Sequence, residues 1–149
     1  MSLRLNWRPK HLLVLLVILL ALGLAWLAPR NEVIFVSPSN AEFALERVLD
    51  EINSAKFSIN VAAYMLTNRS IINALQSKRN QGVKVRIYYG ELSEMGGIRV
   101  PGLHMKLIVI DGIKAIMGSA NFTEAAFGQN QEVIVITRSG EFNKWFEGR

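Results

Sequence analysis

Three short apolar runs, separated by two amphipathic stretches, do most to limit what this chain can fold into. Residues 33–36 are closed by Ser37-Pro38, while residues 57–65 and 83–89 are longer runs rich in β-branched and aromatic side chains; all three read as strands. Between the first two, residues 41–54 carry Phe43, Leu45, Val48, Leu49 and Ile52 on one helical face, with Glu46, Arg47, Asp50 and Glu51 opposite. Ser39 or Asn40 can cap that helix. Asn68-Arg69-Ser70 leads into a second helix over residues 71–80, ended by Gln81-Gly82. The order strand, helix, strand, helix, strand predicts an α/β domain with right-handed crossovers, its central sheet flanked by helices.

The second half adds antiparallel character, so the sheet is expected to be mixed. Residues 103–110 and 114–117 form two strands around Asp111-Gly112, a hairpin signal. A short helix is expected near residues 123–127, a strand over 132–137 and an amphipathic helix over 141–146. Residues 90–101 bear glycine, lack a clear period and read as a loop. Their glycine-rich stretch has no lysine placed to cradle a phosphate and precedes no clear helix.

Ahead of this single domain (31–149) lies a leader of 30 residues. Residues 12–28 are almost unbroken in their apolarity and follow Arg4, Arg8 and Lys10. The segment is expected to be a hydrophobic helix, and two readings stand: a membrane anchor, or a cleavable signal peptide. Trp26 and Pro29 make a poor cleavage site. The basic flank places the N-terminus in the cytoplasm and the domain outside it. If the leader is cleaved, the domain is secreted or periplasmic.

The net charge of +5 invites a nucleic-acid partner. Yet removing Arg4, Arg8, Lys10 and Arg30 from the 17 basic residues leaves 13 against 12 acidic ones, so the domain is close to neutral. What remains is local: Lys78, Arg79, Lys84, Arg86 and Arg99 read either as a basic rim or as ordinary solvated charge. The chain has no cysteine, which excludes a disulfide framework, a thiolate metal site and a cysteine nucleophile. Its two histidines are too few for a histidine-rich metal centre, and no metal or cofactor is expected.

Within residues 31–149, His104 is the only imidazole. In a strand it shares a face with Lys106, while Met105, Leu107 and Val109 point the other way. Histidine changes charge near neutral pH and can serve as nucleophile, base or acid. Lys106 on an apolar strand needs an anion beside it, either a substrate phosphate or a carboxylate. Ser119 and Asn121 share parity on the next segment and carry neutral hydrogen-bonding groups, with the small Gly118 and Ala120 between and beside them. Asp111 lies on the opposite parity to His104, at the hairpin. Glu132 opens an apolar strand and is a candidate to orient the His104 ring, against the alternative of an exposed strand-start acid. A serine hydrolase built on Ser119, His104 and Asp111 is excluded by the lack of a Gly-x-Ser-x-Gly elbow.

Taken as one block, His104-x-Lys106-x4-Asp111-x6-Gly118-Ser119-x-Asn121 resembles the HKD signature of the phospholipase D superfamily. The likeness continues through Asn121-Phe122-Thr123 and Asn130-Gln131-Glu132, and more weakly from about Val33 to the C-terminus. The single motif resembles the short branch that includes bacterial secreted endonucleases and membrane-anchored mitochondrial relatives. This resemblance implies a phospholipase D/nuclease-like fold and a metal-independent phosphodiesterase in which His104 attacks phosphorus to form a phosphohistidine. It assigns Lys106 and Asn121 to the phosphate and Ser119 to a supporting hydrogen bond, and counts Asp111 as a motif residue. A connection over 90–101 shorter than the family's usual one alters how substrate is framed there.

One motif supplies one imidazole, whereas cleavage through a covalent histidine needs a nucleophile and an acid for the leaving oxygen. His11 sits in the leader. Either a carboxylic acid substitutes, or a second His104 arrives across a two-fold axis; the resemblance favours a homodimer with a shared active site. The expected substrate is DNA or RNA. A membrane phospholipid is the alternative, and a non-catalytic phosphate- or nucleic-acid-binding module a second one.

Overall fold

The structure, a computed structural model, describes residues 9–27 and 31–149. The chain divides into two units, Met1–Arg30 and Asn31–Arg149. Within the first, Pro9–Leu27 form helix α1. Nineteen residues at about 1.5 Å each give a rod of roughly 28 Å, just under the ~30 Å hydrocarbon core of a bilayer. Among the described residues no helix is long and apolar enough to cross a membrane. The segment expected over residues 12–28 lies largely within α1; Ala28, the flanking Arg4, Arg8 and Arg30, and the cleavage-site reading around Pro29 lie outside the described residues.

The second unit is built on seven strands: β1 (Glu32–Val36), β2 (Ser58–Leu66), β3 (Lys84–Ser93), β4 (Ile98–Arg99), β5 (Lys106–Ile110), β6 (Lys114–Gly118) and β7 (Glu132–Arg138). They form one mixed sheet in the order β1-β7-β6-β5-β2-β3-β4. Helix α2 (Ala41–Asn53) links β1 to β2, and α3 (Arg69–Asn80) links β2 to β3. Only the second link joins neighbours: β2 and β3 pair in parallel, Ser58 against Lys84 through Ala63 against Tyr89. β1 instead closes the far edge antiparallel to β7, with three strands between it and β2. Local pattern identifies a crossover but not how many strands it skips.

Residues 90–101 are not a plain loop. β3 runs on to Ser93, and β4 pairs in parallel with its Tyr88 and Tyr89. Residues 123–127 form turns rather than a helix, and the C-terminal segment Gly140–Phe146 is a 3₁₀ helix. The buried stripe of α2 is also shifted from the expected one. Ala41, Ala44, Val48 and Ile52 face the sheet, and Phe43 is 52% exposed, because close packing on the strands admits the smaller Ala44. Asn40 precedes α2, but its side chain accepts from Ser37 N at 2.7 Å and donates to Phe35 O at 2.9 Å instead of capping the helix.

Two apolar layers result. α2 and α3 cover one face, where Val48, Ile52 and Leu75 pack on Ile59, Val61, Ile108, Ile110 and Ile116. The 3₁₀ helix covers part of the other, with Phe146 buried on Ala62, Tyr88, Val109 and Ala115. The alternation expected along β5 is thus present: Leu107 and Val109 enter one layer, Ile108 and Ile110 the other.

Candidate active site

Every residue near the site lies at one end of the sheet, where β2 and β6 finish and β5 and β7 begin. This is the carboxyl end of the parallel pair β2–β3, a common place for ligands in α/β sheets. His104 comes two residues before β5 and is exposed; Lys106 is its first residue and is half-buried. The Lys106 ammonium donates to the His104 carbonyl at 2.9 Å and lies 3.2 Å from His104 Nδ1. Nε2 of the same ring lies 3.4 Å from that ammonium, so the cation sits against the imidazole itself. Burial pulls the Lys106 pKa below its ordinary value, and the nearby charge of Glu132 opposes that pull.

Tyr64, in β2, forms a wall behind both groups. Its ring centroid is 4.6 Å from that of His104, tilted by 50°, and 5.3 Å from Lys106 Nζ. Its amide donates to Met105 O at 2.7 Å, fixing the backbone between the two functional residues. Gly90 makes room for this: a Cβ there would sit 2.0 Å from Leu103 O and 3.1 Å from Tyr64 Cδ2. Sequence reasoning passed over Tyr64, which looks like one more aromatic in an apolar strand. The mark that could have raised it is its position near the end of β2, level with a glycine in the parallel neighbour.

Ser119 and Glu132 meet where β6 gives way to β7. Ser119 N donates to Val133 O at 3.0 Å, and Val133 N donates to Ser119 Oγ at 3.0 Å. Ser119 Oγ in turn donates to Glu132 Oε2, and Asn130 Nδ2 donates to Glu132 Oε1 at 3.0 Å. Glu132 makes no hydrogen bond to the His104 ring in this structure. Its oxygens accept one bond each from Ser119 and Asn130, and its charge is felt by Lys106. Gly118 is required for this closeness, since a Cβ would come within 1.9 Å of Val133 O. Gly118→Ala is expected to cost about 1–3 kcal/mol of unfolding free energy, read as a lower urea midpoint at unchanged slope.

Asn121 is held beside β2 by its neighbour. Phe122 N donates to Met65 O at 3.2 Å, and Phe122 O accepts from the amides of Thr67 and Asn68, both at 2.9 Å. Asn121 Oδ1 is buried and has no hydrogen-bond partner, an arrangement that costs free energy unless a ligand completes it. The residue lines a cavity of about 520 Å³ with Thr67, Arg69, Thr123 and Asn130.

Asp111 is not brought to this site. It follows the far end of β5, and five residues at about 3.3 Å place it roughly 16 Å from Lys106. There its carboxylate accepts from the amides of Lys56 (3.0 Å), Phe57 (2.8 Å) and Ser58 (2.9 Å), with its own φ at 52°. Burial works against its ionisation, but those three amides and Lys114 outweigh it and hold the carboxyl below its usual range. The motif position is structural: it ties the β5–β6 turn to the start of β2.

The basic rim is also thinner than the sequence suggests. Lys78 is buried, donating to Asn53 O at 3.0 Å, and Arg86 donates to Asn60 Oδ1 at 2.8 Å. Lys84 opens β3, at the end away from His104. Arg99 does reach the site, in a cleft of about 260 Å³ shared with Tyr64 and His104. His104 and Lys106 also line a larger cavity of about 600 Å³, walled by Leu107, Met117, Phe142 and Trp145. Among the described residues, no three His, Asp or Glu side chains gather to hold a metal ion.

Known proteins resemble both the sequence and the fold. The "Phospholipase D" of Rickettsia felis is 35% identical over 111 residues, 63% of this chain and 56% of that protein, so the chain spans little more than half its length. The crystal structure of Nuc, a phospholipase D family member from Salmonella typhimurium, superposes with a TM-score of 0.65 at 30% identity, covering 79% of this chain and 89% of Nuc. NucT from Helicobacter pylori shares the fold at a TM-score of 0.68 and 24% identity, over 80% of this chain and 91% of NucT. The family model described as "Cardiolipin synthase, PLD-like domain" matches residues 48–100 and 88–149, and the chain belongs to that phospholipase D-like family.

Proposed function

We propose that this protein is a metal-independent phosphodiesterase that works through a phosphohistidine on His104, with DNA or RNA as substrate. The observation that carries the reading is Lys106. It is a half-buried ammonium that makes no ion pair among the described residues and lies 3.2 Å from the imidazole. A cation left without a counter-anion beside a nucleophile is a site for the anion under attack. Asn121 supports the same centre through its place on the adjoining cavity, where its Nδ2 amide can donate to a phosphate oxygen.

In the reaction, a His104 ring nitrogen attacks phosphorus while Lys106 and Asn121 hold the non-bridging oxygens. The P–N bond forms as the P–O bond breaks, and the leaving oxygen takes a proton from a second imidazole. Water then attacks phosphorus, gives its proton to that second imidazole and releases His104. The second imidazole is assigned to His104 of another copy, in a homodimer that shares the site across a two-fold axis.

Arg69 with Thr67 and Thr123 on one side, and Arg99 on the other, offer donors to phosphates beyond the scissile one, against the opposing charge of Glu94 and Glu124 in the first cavity and Glu91 in the second. One observation favours a phospholipid instead: the apolar cavity beside His104 and Lys106 could take hydrocarbon. Incubating the full chain with DNA, RNA and phospholipid vesicles in EDTA, with His104→Asn as control, tests both. Cleavage of nucleic acid at an undiminished rate in EDTA is expected. Loss of activity with chelator would sink the metal-free mechanism, and turnover of lipid alone would move the assignment to the second reading. A fully active monomer would overturn the shared site.

A further inference from the structure

We propose that Tyr64 is a positioning residue of this site, its ring face holding the His104 imidazole and the Lys106 ammonium in place together. The proposal rests on the phosphodiesterase reading of the site but not on which phosphodiester is cleaved.

Three contacts converge on this residue. The ring packs against His104 at 4.6 Å between centroids, Lys106 Nζ lies 5.3 Å from the ring centre, and the Tyr64 amide donates to the carbonyl of the intervening Met105 at 2.7 Å. The backbone bond sets the height of the 104–106 segment against β2, and the ring sets the direction of both side chains. Beyond the backbone pairing of Lys106 in β5, little else directs the two side chains: His104 is exposed and precedes its strand, and the Lys106 ammonium bonds only to the His104 backbone and ring.

The chemistry of an aromatic face suits the position. An imidazole that accepts phosphorus becomes cationic beside an existing ammonium. A carboxylate there would stabilise both, but it would also engage Lys106 in an ion pair and withdraw it from the phosphate. The negative face of a tyrosine ring attracts cations without neutralising them. Glu132, the nearest carboxylate to influence Lys106, is kept occupied by Ser119 and Asn130. The Tyr64 hydroxyl has no part in this account, so phenylalanine should serve.

The test compares Tyr64→Phe and Tyr64→Leu in the full chain, using bis(p-nitrophenyl) phosphate in EDTA with thermal denaturation in parallel. Tyr64→Phe should stay within about twofold of wild type. Tyr64→Leu should lose kcat by about 10- to 100-fold, the scale of a displaced nucleophile, with KM changed less than about threefold. If the leucine variant does not fold, Tyr64→Met gives the same reading. A folded leucine or methionine variant with wild-type kcat overturns the proposal, as does a phenylalanine variant as impaired as leucine. The His104 ring-proton resonances give a second readout that needs no turnover. They should be preserved in Tyr64→Phe and shifted in Tyr64→Leu. Resonances indifferent to leucine count against the placement. An inactive wild type whose resonances respond as expected would remove the phosphodiesterase reading and leave the placement of His104 by Tyr64 standing.

Discussion

Replacing His104 by asparagine is expected to reduce kcat/KM on a phosphodiester by roughly 10⁴-fold or more, while the protein stays folded and still binds its substrate. The size follows from what is removed: the group that makes the covalent bond to phosphorus, with no neighbour able to stand in. Lys106 and Asn121 remain and can still hold the phosphate, so an oligonucleotide should bind within a few-fold of wild type by fluorescence anisotropy. Stability should move by less than about 0.5 kcal/mol, because His104 is exposed and the carbonyl that accepts from Lys106 belongs to the backbone. Lys106→Ala should differ in kind, weakening binding and turnover together. Activity of His104→Asn within tenfold of wild type would show that the imidazole is not the nucleophile.

The closeness of His104 and Lys106 was legible from a strand's period of two, whereas Ser119 and Asn121 lie beyond the end of β6 and line different cavities, which parity does not foresee. The same period explains the apolar layers of β5, whereas in α2 the large Phe43 is exposed and the small Ala44 carries the contact. What the sequence could not disclose were pairings between distant segments. The place of β1 beside β7, the extension of β3 and the tiny β4 depend on backbone bonds that leave no side-chain pattern. Glu132 shows the same limit at the site. Its strand-start position was visible, but Ser119 and Asn130 decide what its oxygens do. The basic residues misled most, since composition counts a buried Lys78 and a hydrogen-bonded Arg86 as free charge.

The position of Asp111 gives the second large effect, on stability rather than chemistry. Asp111→Ala is expected to lower the free energy of unfolding by about 2–4 kcal/mol near pH 7. It removes charge-assisted bonds to three amides and leaves alanine in a left-handed conformation, at φ 52°, that aspartate tolerates better. The amides of Lys56 and Phe57 are near solvent, so water recovers part of the loss. Asp111→Asn keeps an acceptor and the backbone preference and should lose about half as much. The pH dependence separates the two contributions. The folded carboxyl is held below its ordinary range, so its ionisation stabilises the fold above the unfolded pKa, and that stabilisation disappears as pH falls through the folded value. The gap between wild type and Asp111→Asn in urea unfolding should therefore be widest near neutrality and close on the acid side of about pH 4. Whatever fraction of either variant is folded should cleave phosphodiesters normally, since Asp111 lies beyond the far end of β5 from Lys106, roughly 16 Å along the strand. A variant that unfolds like wild type yet has lost turnover would return Asp111 to the catalytic machinery.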